Sequence, residues 1–247
     1  DGGAALEPVI VTGEDFDEGW GSSPRPGAPT PSVQLSPIRA PYALIYPMDE
    51  GTGDVLRSVS GWETPLFLGR AHPRPAKSAA AEQRPQWVDG GDGRPALRFD
   101  GTNGCAALPS RSFPYGPFTL ELNVRPEATD RSMALFSDSN GVRLMLVRGG
   151  LLAATRGRDA IGGQRALTAG RWAHVALVYD GARLRLYLDG QLEREAPAET
   201  RPMRINSLPV IGGGPGAAYR GLVGGLRLQS GVLEPEQFRL PPRGRTP

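Results

Sequence analysis

Acid–base work at a covalent bond needs two carboxylates a few ångströms apart, one to donate a proton and one to accept it or attack. Alternate positions on a strand put two side chains on one face. Glu121 opens such a spacing, but Asn123 and Arg125 follow and break the set. Glu193 and Glu195 form a second pair, read here as an exposed hairpin arm facing arginines. Asp15 and Asp17 form a third, in a Gly- and Pro-rich stretch where no burial would raise a pKa. His174 lies inside Trp172-Ala173-His174-Val175-Ala176, and no Ser or Cys motif points to it as a base. Cys105 is the only cysteine, which excludes an intrachain disulfide and a thiolate zinc cluster. It reads as a small buried hydrophobe in a strand. His72 is the only other histidine, so a His-based metal site has little to draw on. There is no phosphate loop and no zinc motif. The chain therefore reads as a non-enzyme.

Binding chemistry is better supplied. Flat aromatic rings stack on sugars, and polar neighbours take the hydroxyls. Trp20, Trp62, Trp87, Tyr115 and Tyr219 stand in segments that read as loops or arms. Arginines are dense at Arg143, Arg148, Arg156, Arg158, Arg165, Arg171, Arg183 and Arg185, and Lys77 is the only lysine. On alternate strand positions they could form a cationic face for acidic groups. A solvated outer face that discourages edge pairing is the expected reading.

The elements that must position these residues follow from composition and pattern. The 247 residues suffice for one large domain with a sizeable core. With 34 Gly and 25 Pro, helical bundles and coiled coils are excluded. A net charge of +2 gives no reason to expect nucleic acid as a partner. No apolar run is long enough to span a bilayer.

Residues 1–41 read as an extended arm. They carry an apolar patch (Val9, Ile10, Val11), an acidic patch around Phe16, then Trp20 and a Pro/Gly-rich run that favours polyproline geometry. Residues 239–247 read as a Pro-rich tail. From Tyr42 to Phe238 the chain alternates short apolar runs with Gly, Asp and Asn. Arg171–Tyr179, Ala182–Leu188 and Gln191–Glu195 are joined by Asp180-Gly181 and Asp189-Gly190, pairs that favour type I′ hairpin turns. Asn140-Gly141 and Gly149-Gly150 do the same between Ser132–Ser137, Val142–Val147 and Leu151–Thr155, so 132–195 reads as a hairpin meander. Further strands are expected at Tyr42–Tyr46, Ala96–Phe99, Cys105–Leu108, Phe118–Val124, Pro209–Ile211 and Leu222–Leu228. Helical turns are expected only at Glu234–Phe238 and Gly53–Val59, and a long loop over 69–93. This is an all-β sandwich or barrel pattern.

Several segments in order carry a resemblance: Tyr42-Ala43-Leu44-Ile45-Tyr46-Pro47-Met48-Asp49-Glu50-Gly51; Ala96-Leu97-Arg98-Phe99-Asp100-Gly101; Gly170-Arg171-Trp172-Ala173-His174-Val175-Ala176-Leu177-Val178-Tyr179-Asp180-Gly181; and Tyr219-Arg220-Gly221-Leu222-Val223-Gly224-Gly225-Leu226. The chain over 42–238 resembles bacterial laminin-G-like domains of the concanavalin A-like lectin/glucanase superfamily. The resemblance implies a jelly-roll sandwich of two antiparallel sheets, with Trp172 in the core. It implies carboxylates at alternate positions of one strand in the hydrolytic members, the set broken after Glu121. It also implies calcium in some members, for which Asp49, Glu50 and Asp54 could supply oxygens. An Asp-Glu pair common in the family is replaced by Gly224-Gly225, which weakens that expectation.

The expected role is a non-catalytic interaction subunit. Its sandwich and its arm (Val9, Ile10, Val11, Phe16, Trp20) would dock onto a larger extracytoplasmic, membrane-peripheral protein assembly. The alternative is a carbohydrate-binding module using Trp62, Trp87, Tyr115 and Tyr219, and a glycoside hydrolase is the remote one. The chain opens at Asp1 without an initiator Met, which a removed leader would explain.

Overall fold

The computed structural model describes residues 42–62, 64–69, 84–102, 104–109, 112–139, 141–198, 209–213 and 217–238. They contain β1 (Ala43–Tyr46), β2 (Val55–Arg57), β3 (Pro65–Leu68), β4 (Gln86–Asp89), β5 (Pro95–Asp100), β6 (Ala106–Ala107), β7 (Phe118–Pro126) and β8 (Met133–Ser137). Then follow β9 (Arg143–Leu146), β10 (Leu151–Arg156), β11 (Asp159–Ala166), β12 (Ala173–Tyr179), β13 (Arg183–Leu188), β14 (Gln191–Pro197), β15 (Val210–Ile211) and β16 (Arg220–Ser230). A 3-10 turn at Pro235–Gln237 falls where the helical turn at Glu234–Phe238 was expected.

The strands form two antiparallel eight-stranded sheets. One runs β14-β13-β12-β7-β16-β5-β4, with β1 also on β16, and the other runs β11-β10-β9-β8-β15-β6-β3-β2. Packed face to face, they make the expected jelly-roll sandwich. Both contribute to one apolar core, including Leu44, Leu97 and Leu122 from the first sheet and Leu66, Phe136 and Leu152 from the second. Each fully buried side chain of this size contributes about 1.5–3 kcal/mol relative to exposure.

β7 shows how the pattern works. Phe118, Leu120, Leu122 and Val124 enter the core, while Thr119, Glu121 and Asn123 take the opposite face. That opposite face is also buried, because the chain after β16 folds back across it. The Thr119 hydroxyl donates to the Gly231 carbonyl and accepts from the Leu233 N–H, both at 3.0 Å. Val232 and Phe238 cover Ala176, Val178 and Tyr187.

At one side of the sandwich β11 and β14 belong to different sheets, and Glu193 ties them. Its carboxylate accepts the backbone N–H groups of Gln164 and Arg165, both at 2.8 Å, and the Arg165 guanidinium. Arg156 of β10 crosses between the sheets, its guanidinium 3.8 Å from the centroid of the Tyr179 ring on β12.

The structure corrects several local expectations. Gly53–Val59 holds strand β2 rather than a helical turn, and the expected loop 69–93 contains strand β4. β3 begins with Pro65, and β11 carries Gly162 and Gly163 with Ile161 as its one buried residue, so neither shows a strong strand pattern. The meander divides: β8–β11 lie in one sheet and β12–β14 in the other. Asp189 and Gly190 have φ of 51° and 75°, as a type I′ turn requires, whereas the Gly150 N–H bonds the Val147 carbonyl at 3.0 Å, so Arg148 and Gly149 are the central pair there and only the glycine is left-handed. At Asp180-Gly181 only the glycine is left-handed. Asp180 instead uses its carboxylate to accept the N–H groups of Ala182 and Arg183, an Asx-type turn. Cys105 is buried as expected but precedes strand β6 rather than lying in it. The arm (1–41), the tail (239–247) and Asn140 lie outside the described residues.

Candidate functional site

Two of the flagged aromatic residues, Trp62 and Tyr115, lie near Tyr42. The turn from Ser58 to Thr64 is fastened to β1 by hydroxyls. Ser58 accepts the Ile45 N–H at 3.0 Å, Ser60 donates to the Ala43 carbonyl, and the Tyr46 hydroxyl donates to the Thr64 carbonyl at 2.7 Å. Gly61, at φ 84°, lets the chain reverse there. Trp62 projects from this turn with 43% of its surface exposed. Its ring meets Tyr42 edge to face at 5.1 Å between centroids. Tyr42 is itself fixed, because its carbonyl accepts the N–H of Ser230 at 2.8 Å.

The loop before β7 supplies the third ring. Phe113 anchors it in the core, 4.8 Å from the Phe118 ring. Two residues later Tyr115 faces outward, 41% exposed. Burial pushes the Tyr42 phenol up, against its hydrogen bonds with Ser112 and Thr64, and nearby Tyr115 adds to the rise. Tyr42 thus has Trp62 edge to face against it and Tyr115 near its phenol, so the exposed ring faces are those of Trp62 and Tyr115, with the Ser112 and Thr64 hydroxyls beside Tyr42. Such a face can stack on the C–H side of a sugar ring while the hydroxyls meet its polar edge.

A second feature lies on the outward side of the sheet. Arg125 of β7, Leu222 of β16 and Arg98 of β5 stand opposite one another across three neighbouring strands. With Val88 and Glu127 they line a hollow of about 280 Å³. Arg98 holds Glu127 bidentately, at 2.7 and 3.2 Å. The Arg98 bond holds the Glu127 carboxyl below its ordinary range, and Arg220 assists. A neighbouring hollow of about 360 Å³ at the β4 edge is lined by Trp87, Asp89 and Arg94.

Of the carboxylates weighed for catalysis, Asp15 and Asp17 lie outside the described residues, and Glu121, Glu193 and Glu195 are each held by cations. Glu121 is fully buried, with His174 Nε2 at 3.1 Å and Arg227 Nη1 at 3.3 Å. Phe238 closes over it, 5.5 Å from the imidazole between centroids. Glu193 is buried, not the exposed arm residue expected, because β11 folds against it. Burial alone would raise its pKa, but the Arg165 and Gln164 N–H groups and the Arg165 guanidinium outweigh it and leave it lowered. Glu195 pairs with Arg185 and Arg183 and is lowered by both.

Other flagged residues fall elsewhere. Trp87 stands in β4 rather than a loop, its indole N–H donating to the Gly53 carbonyl at 2.9 Å. Tyr219 is no surface ring: it is fully buried, 6.0 Å from Phe99 between centroids, and burial pushes its phenol well up. Trp172 lies half-buried at the sheet margin rather than in the core, donating to the Gly90 carbonyl at 2.9 Å. Among the arginines, Arg156 is buried and Arg165, Arg183 and Arg185 are ion-paired, so these four add nothing to a free cationic face. Asp49 and Glu50 are exposed, and Asp54 pairs with Arg84. Among the described residues no three His, Cys, Asp or Glu side chains gather as a metal site. Val9, Ile10, Val11, Phe16 and Trp20 lie outside the described residues. Among those residues, no helix is long and apolar enough to cross a membrane.

Sequence reasoning passed over Tyr42, Arg98 and Glu127. Arg98 was visible as the outward position of Ala96-Leu97-Arg98-Phe99, but its partner Glu127 comes from a different hairpin.

Comparison with known proteins bears on this geometry. The family profile described as concanavalin A-like lectin/glucanases superfamily (Laminin_G_3) matches residues 100–238. No curated protein matches the chain. Among solved structures it is similar to domain 4 of an extracellular arabinanase from Geobacillus stearothermophilus in complex with arabinotriose. The identity is 18%, over 78% of this chain and 94% of that one, with a TM-score of 0.60. It is also similar to the Trypanosoma rangeli sialidase in complex with sialic acid, at 15% identity over 78% of this chain and 31% of that one, TM-score 0.58. A botulinum neurotoxin DC binding domain in complex with SialylT matches at 9% identity over 78% and 48%, TM-score 0.57. At these identities the likeness is one of fold.

Proposed function

The chain belongs to the concanavalin A-like lectin/glucanases superfamily, and from that premise we propose that it is a non-catalytic module that binds a glycan on the aromatic face of Trp62 and Tyr115, beside Tyr42. The observation that carries this reading is the exposure of Trp62 and Tyr115 around Tyr42, on a turn and a loop that are each fastened to the sandwich. Exposed aromatic rings on a rigid support suit sugar stacking, because little freedom is lost on binding. The similar arabinanase domain is in complex with arabinotriose, which fits a sugar ligand.

A non-catalytic role fits the carboxylates. A glycosidic acid needs a pKa raised toward neutrality. Glu127, Glu193 and Glu195 are all lowered, and Glu121 lies beneath Phe238 between a histidine and an arginine. An extracytoplasmic location goes with a glycan ligand. Docking of residues 1–41 onto a protein assembly is a separate proposal resting on their composition, and deletion of that segment tests it: unchanged association with the assembly would sink it.

The test of the glycan reading is an array of neutral and acidic oligosaccharides probed with the wild-type protein and with Trp62→Ala and Tyr115→Ala. Binding to a defined glycan, lost in both variants while their melting temperatures hold, supports it. No binding anywhere on the array overturns it.

A further inference from the structure

The hollow on the outward sheet face has the makings of an anion site. Arg125 donates from Nε to the Gly170 carbonyl at 2.8 Å and from Nη1 to the Gly90 carbonyl at 2.9 Å. Those two bonds fix the guanidinium plane and leave Nη2 without a hydrogen bond among the described residues. Arg98 spends Nε and Nη2 on Glu127, which leaves its Nη1 in the same condition. Arg220 reaches Glu127 as well, at 3.4 Å. The guanidiniums of Arg98 and Arg125 line the hollow with Glu127 and Asp89, and Arg220 and Asp100 stand beside them. Asp89 is turned toward the Gly91 N–H at 2.8 Å. Leu222 and Val88 give the hollow an apolar floor.

We infer that this hollow binds the carboxylate of an acidic sugar, a uronic or sialic acid residue, with the ring seated on Leu222 and Val88 and the carboxylate between Arg98 and Arg125. The inference rests on the glycan-binding reading and adds a second site to it. Its volume of about 280 Å³ lies below the ~300–1,000 Å³ of drug-sized sites, which suits one ring rather than a chain. Two pre-oriented guanidinium edges match a planar carboxylate, and such charge-assisted bonds are shorter and stronger than neutral ones. A sugar is favoured over an acidic peptide because the floor is apolar and the volume has room for about one ring, whereas an extended peptide would need a longer groove.

The test is calorimetric titration of the full chain with 3′-sialyllactose, trigalacturonate, lactose and a hexaglutamate peptide. The protein is taken as wild type, Arg98→Gln, Arg98→Lys and Trp62→Ala. Arg98 is 45% exposed, so its replacement leaves the core intact, and a melting curve checks this. The expected result is that at least one acidic saccharide binds, that Arg98→Gln weakens it about tenfold, and that rising salt weakens it further. Arg98→Lys should retain part of the affinity, and Trp62→Ala reports on lactose binding at the aromatic face. If lactose or other neutral sugars bind at Trp62 but no acidic saccharide responds to Arg98→Gln, the inference falls while the glycan-binding reading stands. If hexaglutamate binds as well as the saccharides, the sugar assignment falls. If no sugar binds anywhere, both fall.

Discussion

Glu193→Ala should loosen one side of the sandwich. The carboxylate is 2% exposed and is the acceptor for two backbone N–H groups of β11 and for the Arg165 guanidinium. A hydrogen bond to a charged group contributes about 1.5–3 kcal/mol, and an orphaned buried donor costs about 1–3 kcal/mol. Arg165 is 45% exposed, so its share shrinks toward the ~0–1 kcal/mol of a surface pair. Gln164 and Arg165 are themselves exposed residues, so water can recover part of the backbone loss. The net cost comes to about 3 kcal/mol. For a domain of this size that is a drop in Tm of roughly 6–12 °C by calorimetry. Glu193→Gln keeps a carbonyl oxygen for the backbone donors but turns an NH2 toward the guanidinium, and should lose about half as much.

The pH dependence follows from the lowered pKa of Glu193. Between the folded and the unfolded value the unfolded chain binds the extra proton, so stability rises with pH there. The stabilisation is whole above the ordinary glutamate range and is lost as pH falls through the folded value. The gap in Tm between wild type and Glu193→Ala should therefore be full at pH 7 and close progressively in acid. A Tm change under about 2 °C at pH 7, or a gap that widens in acid, would refute the idea that this carboxylate fastens β11 to β14.

Gly221→Ala should prevent or severely weaken folding. Gly221 has φ 151°, and a Cβ there would stand 2.5 Å from the Arg125 carbonyl oxygen and 2.8 Å from the Pro126 Cα, backbone atoms of the neighbouring strand that cannot step aside. Loss of soluble protein, or a Tm far below wild type, is expected; a normal melt would contradict it. Alkaline titration should find Tyr46 and Tyr219 silent in the native protein at the pH where free tyrosine ionises, because burial raises both phenols, with Tyr42 adding to the rise at Tyr46. The unfolded chain gives up those protons first, so stability should fall as pH climbs past ~10. Phenolate absorbance that appears without unfolding would contradict the burial.

The overall architecture was legible because it lives in local chemistry. Leu184, Leu186 and Leu188 alternate between turn residues, and Phe118, Leu120, Leu122 and Val124 mark a core-facing edge without any need of a partner. The missed strands lacked that signal. β4 has only Trp87 and Val88 as apolar residues, and it becomes a strand through pairing with β5. β11 is held by β10 and by Glu193, a residue 28 or 29 positions away from the N–H groups that it accepts.

The same distinction holds for the candidate sites. Trp62 and Tyr115 could be flagged singly as exposed aromatics, but Tyr42, which gathers them, read only as the start of a strand. Tyr219 looked like a loop residue between Ala218 and Arg220, and only the contact with Phe99 shows that it faces inward. Glu121 was judged a broken catalytic spacing. Its real partners, His174 and Arg227, lie 53 and 106 residues away and meet it because β7 is flanked by both β12 and β16.

The described indoles offer the most direct check. Trp87 and Trp172 already donate their N–H groups to backbone carbonyls, whereas Trp62 stands exposed beside Tyr42. In a heteronuclear NMR titration with a neutral glycan taken from the array, the indole resonance of Trp62 should move to saturation while those of Trp87 and Trp172 hold still. Saturable binding that leaves the Trp62 resonance in place would contradict the account.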